Sequence, residues 1–178
     1  MMDQGEGIKE MNEKLLQFAQ QTRQLLSTKP GVEARQDVAA LLSQLLHDKA
    51  FVSDIFAQPM PDRHILYEDE ELHFCILAHQ YEGARTSPPH DHAHCWAIYG
   101  QVEGETHMRD YKVLSAPNED QPGIVQLTKS YHLAPGDVHV YEPGDVHSPE
   151  RHASTKLIRI EEQNMEKVQR FPFIEDAH

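Results

Sequence analysis

The sequence predicts an all-β domain, a sandwich or barrel of short strands, with a layer of amphipathic helices at its N-terminal end. In the first quarter of the chain, apolar residues recur every three or four positions, which is the period of an α-helix. From Arg63 onward the period changes to two, which is the period of a β-strand. Turn-forming residues separate these short runs, as is typical of all-β sandwiches and barrels.

Two helices are predicted in the N-terminal part of the chain. The apolar stripe of the first helix consists of Ile8, Met11, Leu15, Phe18, Thr22 and Leu25. The Pro-Gly pair at 30–31 breaks this pattern, and helical spacing resumes in a second helix from about Val32 to Lys49. Residues 51–58 either extend the second helix or form a short third piece, which the prolines at 59 and 61 end.

Five short strands are predicted in the remainder of the chain. They include residues 72–79, 95–102, 124–127, 138–141 and 157–160. Residues 161–167 are predicted to form a helical turn. Because neither a low-complexity linker nor a long repeat interrupts the sequence, we expect one domain over residues 1–178. Its helical segment covers about residues 7–58, and its barrel covers about residues 63–175.

Composition limits the partners that the chain can have. The 178 residues include 29 Asp and Glu against 16 Lys and Arg, which gives a formal net charge of −13. This balance argues against a nucleic-acid partner or an anionic membrane surface, because both need a basic footprint. No apolar run approaches the ~20 residues of a membrane span, and the N-terminus lacks signal-peptide character. With only two cysteines, Cys75 and Cys95, we expect a cytoplasmic protein, and its sheet edges are compatible with a homodimer.

Two histidines separated by one residue form the strongest candidate metal site. The chain has 13 histidines, and His90 and His92 lie in a Pro-Pro-His-Asp-His run. On an extended strand these two imidazoles point to the same side, about 7 Å apart, and can chelate one ion. His94 has the same parity but lies too far along the strand to join them easily. The third ligand is predicted to be His147, which closely follows a Pro-Gly-Asp turn, with His139 as the weaker choice.

The order of these motifs resembles the cupin superfamily and, within it, the thiol dioxygenases, which include cysteine dioxygenase and mercaptopropionate dioxygenase. The resemblance covers residues 63 to about 163. The first cupin motif is approximated by Gly83, His90, His92 and Gly100 or Gly104. The second motif is met loosely by Gly136, Pro143, Gly144 and His147. The glutamate of the first motif would fall near Trp96 or Ala97 and is absent, which fits the three-histidine site of the thiol dioxygenases.

This resemblance implies a double-stranded β-helix barrel, the jelly roll of the cupins, beside the helical layer. It implies a mononuclear Fe(II) site held by His90, His92 and His147, at which a small thiol and O₂ react. Nickel and zinc are further ions that such imidazoles accommodate. The resemblance also implies that Arg63 binds a substrate carboxylate through its planar fork. A surface pair of Arg63 with an acidic residue at 68 or 69 is the alternative.

The chain departs from the thiol dioxygenases after the third predicted ligand. Where those enzymes carry a Ser-x-His-x-Tyr network, this chain has Leu157, Arg159 and Glu161. Inside a pocket, Arg159 and Glu161 would bind an anion or position a proton. On an exposed strand face they would only be solvated surface charges. Cys95 falls where animal cysteine dioxygenases carry a cysteine that is cross-linked to a tyrosine, but the changed network leaves it no partner. A small, half-buried strand residue is the alternative for Cys95.

Three functions stay open at this point. The first is an Fe(II)- and O₂-dependent dioxygenase that acts on a small thiol or another small chelating acid, with Arg63, Arg159 and Glu161 in its pocket. The second is a metal-dependent hydrolase, lyase or isomerase in which Glu161 is the acid or base. The third is a non-enzymatic barrel that binds a small molecule. The histidines at 73, 79, 107, 132 and 152 stand singly in the sequence and are predicted to be surface or hydrogen-bonded imidazoles.

Overall fold

Three helices open the part of the chain that the computed structural model describes, which comprises residues 12–29 and 31–177. They are α1 (Glu13–Thr28), α2 (Val32–Leu46) and α3 (Lys49–Ile55). The first two members of the predicted apolar stripe, at positions 8 and 11, lie outside the described residues. None of the helices within these ranges is long and apolar enough to cross a membrane.

Side-chain caps set two of the helix starts. The Asn12 side chain accepts hydrogen bonds from the backbone of residues 14 and 15, so α1 begins at Glu13. The Asp48 side chain accepts from the Phe51 amide and starts α3. Residues 49–55 are therefore a separate third helix rather than an extension of the second, and α2 ends at Leu46, before the predicted Lys49.

Ten strands follow the helices. They are β1 (Arg63–Glu68), β2 (Cys75–Tyr81), β3 (Arg85–Thr86), β4 (Ala97–Glu103), β5 (Thr106–Ser115), β6 (Gly123–Leu133), β7 (Val138–Tyr141), β8 (Val146–Arg151), β9 (Thr155–Glu161) and β10 (Phe173–Glu175). A single 3₁₀ turn at Met165–Lys167 lies in the segment where a helical turn is predicted.

The strands form two five-stranded sheets with jelly-roll order. The first sheet has the order β1-β2-β9-β4-β7, and the second has the order β10-β6-β5-β8-β3. From β2 to β9 the chain crosses between the sheets at every connection except the β5–β6 hairpin. This interleaving is the eight-stranded double-stranded β-helix, and β1 and β10 add one edge strand to each sheet. The predicted fold class, an all-β double-stranded β-helix barrel with an N-terminal helical layer, is confirmed.

The helical layer covers the outer face of the first sheet. Leu15, Phe18 and Leu42 pack in one apolar cluster with strand residues such as Ile98 and Ile158. Since alternate residues of a strand face opposite sides, the neighbours of these strand residues point into the barrel. The first sheet is thus buried on both faces, and helix packing fixes the strands that carry inward-facing side chains.

Candidate metal centre

Three of the predicted site residues meet on the inner side of the barrel. His90 and His147 face each other in an isolated antiparallel bridge, with both N–O distances at 2.9 Å. His147 lies on β8, and His92 follows His90 by two residues. One ring nitrogen from each of the three histidines lies within 4.8 Å of the others. The structure therefore gathers the imidazoles proposed as ligands into one group.

The backbone turns at residues 93–94, directly after His92, and does not continue as the extended strand that the sequence predicts. Ala93 has a φ of 53°, and the Cys95 amide donates to the His92 carbonyl at 2.9 Å. The Gly144 amide in the turn before β8 donates to the Ala93 carbonyl at 3.0 Å and ties the two segments together. Because the chain reverses after His92, His94 is exposed.

The weaker candidate for the third ligand, His139, stays outside this group. Its ring stacks against Tyr131 and Tyr141, with ring centroids 5.0 and 4.5 Å away. The structure thus brings His147, not His139, next to His90 and His92.

Burial keeps the three imidazoles neutral. His92 is 2% exposed and His147 is fully buried. Desolvation is the main cause that lowers the pKa of His90 to about 4 and that of His92 to about 2. The pKa of His147 lies well below its ordinary value for the same reason. A neutral imidazole is the protonation state that binds a metal ion.

The hydrogen bonds of the rings leave donor atoms for an ion. His90 Nδ1 lies 2.9 Å from the Pro88 carbonyl, and donation to this oxygen leaves Nε2 with its lone pair. Among the described residues, the buried Nδ1 atoms of His92 and His147 have no hydrogen-bond partner. A buried polar atom without a partner is costly, and a bound ion would relieve that cost. The residues therefore fit a metal site, with donors that suit iron, zinc, copper and nickel.

Tyr99 joins two of these histidines and was not singled out from the sequence. It lies on β4, and its hydroxyl is 3.0 Å from His92 Nε2 and 3.3 Å from His147 Nε2. Burial raises the pKa of Tyr99, so the phenol keeps its proton and can donate it in a hydrogen bond. The period-two alternation of β4 is the signal that could have placed this side chain inside the barrel.

Arg159 lies beside the histidine group and not on an exposed strand face. Its guanidinium carbon is 4.1 Å from the centroid of the Tyr99 ring, which is a cation–π contact. Its side chain is 15% exposed, and Nη1 lies 3.5 Å from Glu161 Oε1. The predicted pair of Arg159 and Glu161 therefore exists and faces the interior.

Arg63 and Glu161 bind each other. The Nη1 and Nη2 atoms of Arg63 donate to the two carboxylate oxygens of Glu161 at 2.9 and 3.0 Å. Arg63 also contacts Asn164 at 3.0 Å and Glu166 at 3.3 Å. Protein groups thus take up Nη1 and Nη2, whereas Nε has no hydrogen-bond partner among the described residues. The ionic partners of Arg63 are Glu161 and Glu166, not the acidic residues at 68 and 69. The family resemblance implies that the Arg63 guanidinium binds a substrate carboxylate. In the structure this guanidinium binds the buried carboxylate of Glu161 instead.

The charge of Glu161 is fixed by this pairing. Burial by itself would raise its pKa, but hydrogen bonds from Arg63 and the charge of Arg159 hold the pKa below its ordinary value. The carboxylate is therefore ionised and its side chain is only 1% exposed. An ionised carboxylate locked in a two-point ion pair is poorly suited to exchange protons with a substrate.

A cavity of about 620 Å³ lies at the mouth of the barrel next to His90. Its lining includes Arg151, Arg159 and Arg170, together with the Tyr81 ring. Arg170 donates to the Asp91 carbonyl at 3.3 Å. The cavity is therefore rich in positive charge although the chain as a whole is strongly acidic.

Arg151 is the second functional candidate that sequence reasoning missed. It is 4% exposed, and its guanidinium lies 4.9 Å from the Tyr81 ring centroid. Within the described residues, Arg151 Nε and Nη2 and Arg159 Nε have no hydrogen-bond partner. On β8, Arg151 has the same parity as His147, so alternation along this strand is a signal for its inward direction.

Cys95 is buried and carries no redox-active partner that the described residues show. Burial and the nearby charge of Glu162 raise the pKa of its thiol to about 12. A thiol of this kind is protonated at neutral pH. Cys95 therefore fits a small packing residue, but it is fully buried and lies two residues before β4, whereas the alternative placed it half-buried on a strand.

No family model and no curated protein matches the sequence. A cupin superfamily protein from Desulfitobacterium hafniense is 12% identical over 55% of this chain and 72% of its own, with a TM-score of 0.40. A cupin-2 domain protein from Shewanella frigidimarina is 16% identical over 66% of this chain and 95% of its own, with a TM-score of 0.43. An oxalate oxidase is 16% identical with a TM-score of 0.40, and the match spans 52% of this chain but only 43% of the oxidase.

Proposed function

We propose that this chain is an Fe(II)-dependent dioxygenase of the thiol dioxygenase type, which acts on a small thiol that carries an anionic group, or on another small chelating acid. One observation supports this most strongly. Three neutral imidazoles, of which His92 and His147 are buried and His90 is half-buried, lie beside a cavity whose lining contains three arginines. The histidines supply the metal ligands, and the arginines supply a counter-charge for the substrate.

The ligand set favours oxygen chemistry at an open metal site. His90, His92 and His147 would hold the iron, and bound Fe(II) would supply coordination positions where a chelating substrate and O₂ meet. The buried carboxylate Glu161, which contacts Arg159 beside this group, is engaged by Arg63. Three imidazoles without a carboxylate are the ligand set that the sequence resemblance implies for thiol dioxygenases.

Arg151 and Arg159 are the residues that we assign to the substrate anion. Both line the cavity with His90, and both have guanidinium nitrogens without a partner in the described part of the chain. A guanidinium binds a carboxylate through two parallel hydrogen bonds, which also fixes its orientation. In a chain with a net charge of −13, this local positive charge is what admits an anion. We therefore assign to Arg151 and Arg159 the binding of the substrate anion, which the family resemblance implies for Arg63.

Tyr99 has a supporting task at the same site. Its hydroxyl contacts His92 and His147 and so restrains the orientation of both rings. Because its pKa is raised, it stays a neutral donor close to the place where substrate would bind. For a thiol, the overall reaction adds both atoms of O₂ to sulfur, so that RSH and O₂ give the sulfinic acid RSO₂H.

Oxygen uptake by the iron-loaded chain tests this function. The tag-free protein is loaded anaerobically with Fe(II) and given cysteine, mercaptopropionate, mercaptosuccinate or cysteamine in an oxygen electrode. We expect uptake with at least one of the three carboxylate-bearing thiols, one sulfinate formed per O₂, and little uptake with cysteamine, which lacks a carboxylate. Iron binding without uptake for any thiol would discard the thiol substrates, and absence of bound metal would favour a non-enzymatic binding barrel.

A hydrolase, lyase or isomerase that uses Glu161 as acid or base is less well supported. Proton exchange needs a carboxyl group whose pKa lies near the working pH. The ion pair with Arg63 lowers the pKa of Glu161 and so moves it further from neutral pH.

A further inference from the structure

Three histidines that are far apart in the sequence meet on the outer face of the second sheet. His107 on β5 is directly opposite His132 on β6, and the ring centroids are 3.9 Å apart. His152, in the bend after β8, stacks on His107 with a centroid distance of 4.6 Å. Three imidazoles that stand singly in the sequence therefore form one surface cluster.

Two carboxylates join this cluster. Glu105 Oε1 is hydrogen-bonded to His132 Nδ1 and lies 3.7 Å from His107 Nε2. Glu150 Oε1 lies 3.0 Å from His152 Nε2. One ligand atom from each of Glu105, His107 and His132 lies within 4.8 Å of the other two. Zinc binds nitrogen and oxygen ligands at about 2.0–2.2 Å. Small rotations of the exposed Glu105 and His132 side chains and of the half-buried His107 would close them around one ion.

The cluster is separate from the barrel interior. Met108 follows His107 on β5 and is fully buried in the core, so His107 points to the opposite, outer side of the sheet. Glu150 is opposite His107 on the neighbouring strand β8, whereas His147 on the same strand points inward. The two groups of histidines therefore lie on opposite faces of one sheet.

We propose that Glu105, His107 and His132 form a metal site for a divalent ion of the zinc type, with His152 as the adjacent fourth donor. Two or three imidazoles with one carboxylate are a zinc ligand set. The acidic surface of the chain raises the local concentration of cations. An ion here would join the β5–β6 hairpin to the end of β8.

Zinc stoichiometry tests this site. The full chain, purified without a tag and stripped with a chelator, is dialysed against buffered Zn²⁺ and its zinc is measured by elemental analysis. The variants are His107→Gln and His132→Gln, and the matched control is His64→Gln, which removes an exposed strand histidine on β1. At the Zn²⁺ concentration that saturates this site in the wild type, we expect each cluster variant to hold one zinc fewer per chain, or to bind it at least tenfold more weakly. We expect the control to match the wild type.

The comparison is independent of the proposed function. If the barrel site also takes zinc, the wild type holds two zinc ions per chain and the cluster variants hold one. If the barrel site takes no zinc, the wild type holds one zinc ion per chain and the cluster variants hold none. Circular dichroism and the melting temperature of the metal-free variants check that the fold is intact. Equal zinc in the wild type, His107→Gln and His132→Gln overturns the proposal, and so does an equal loss in His64→Gln, because binding would then be unspecific.

Discussion

At the scale of single residues, the cavity is distinguished by guanidinium groups whose hydrogen-bond donors are not all used. Arg151 is almost fully buried, and burial lowers its pKa because the charge has lost its hydration. Arg159 lies over Tyr99, which in turn contacts two of the histidines. A substrate anion placed between these groups would accept charge-assisted hydrogen bonds from the guanidinium groups, and these bonds would replace the ones that the buried groups no longer make to water.

Arg151→Gln tests this arrangement. Loss of one charge-assisted contact costs about 1.5–3 kcal/mol, so we expect KM for a carboxylate-bearing thiol to rise about 10- to 100-fold. Iron content should not change, because the substitution leaves the three imidazoles in place. Arg109→Gln is the matched control, since Arg109 is exposed on the neighbouring strand β5 and pairs with Glu150. A KM that is unchanged in Arg151→Gln would contradict the assignment of the anion to this residue.

Arg63→Met separates a structural role from a substrate role. Removing Arg63 leaves Glu161 buried beside only the more distant Arg159, and breaking a buried ion pair from one side costs about 3 kcal/mol. We expect the free energy of unfolding in urea to fall by about this amount, while KM for the substrate changes little. A variant of normal stability with a strongly raised KM would instead show that Arg63 binds the substrate carboxylate.

At the scale of elements, the period-two pattern locates the strands but not the local turns that build the site. The predicted strand at 138–141 agrees with β7, and the strand predicted at 157–160 lies within β9. Residues 90–94 look extended by the same criterion, yet they turn after His92 because of hydrogen bonds to β8 and its preceding turn. Those partners lie about 50 residues away, so no local pattern could have revealed them.

Gly100 controls how closely α2 approaches the first sheet. A Cβ at this position would lie 2.8 Å from Leu46 Cδ1 and 3.0 Å from Leu42 Cδ2. We expect Gly100→Ala to destabilise the chain by about 1–3 kcal/mol in urea unfolding, because the interface becomes overpacked. Adding Leu46→Ala makes room for the methyl group, so the double variant should lose less stability than the sum of the two single variants. Strict additivity would show that this contact is not the cause.

At the scale of the whole molecule, the jelly roll explains why part of the site was predictable and part was not. His90, His92 and His147 could be proposed because a motif order marks them. Arg151 and the outer histidines have no such motif, and they become neighbours only through the pairing of β3, β5, β6 and β8. Likewise, the ion pair of Arg63 with Glu161 joins β1 to β9 across β2; the strand register aligns Arg63 with Leu157, four residues before Glu161, and so does not by itself give this partner. These are long-range contacts, which sequence spacing does not record.

Acid stability reports on the Arg63–Glu161 ion pair in the whole fold. A carboxyl group whose pKa is lower in the folded state stabilises the fold above its unfolded pKa, and this contribution is lost as the pH falls through the folded value. For Glu161 we expect the loss to begin near the ordinary value of 4.5 and to continue below it. Glu161→Gln lacks the titrating carboxyl group. The free energy of unfolding of this variant should therefore depend less steeply on pH below 4.5 than that of the wild type. Parallel pH profiles for the two proteins would contradict the shift.

The metal content of the wild type and of His147→Ala tests the central claim most directly. Tag-free protein is exposed to Fe(II) without oxygen, desalted and analysed for iron, and circular dichroism confirms that the variant is folded. The three-histidine centre predicts one iron fewer per chain in His147→Ala than in the wild type, whatever the outer cluster binds, because His147 belongs to the inner histidine group and not to the outer one. The same iron content in both folded proteins would contradict a metal centre at His90, His92 and His147.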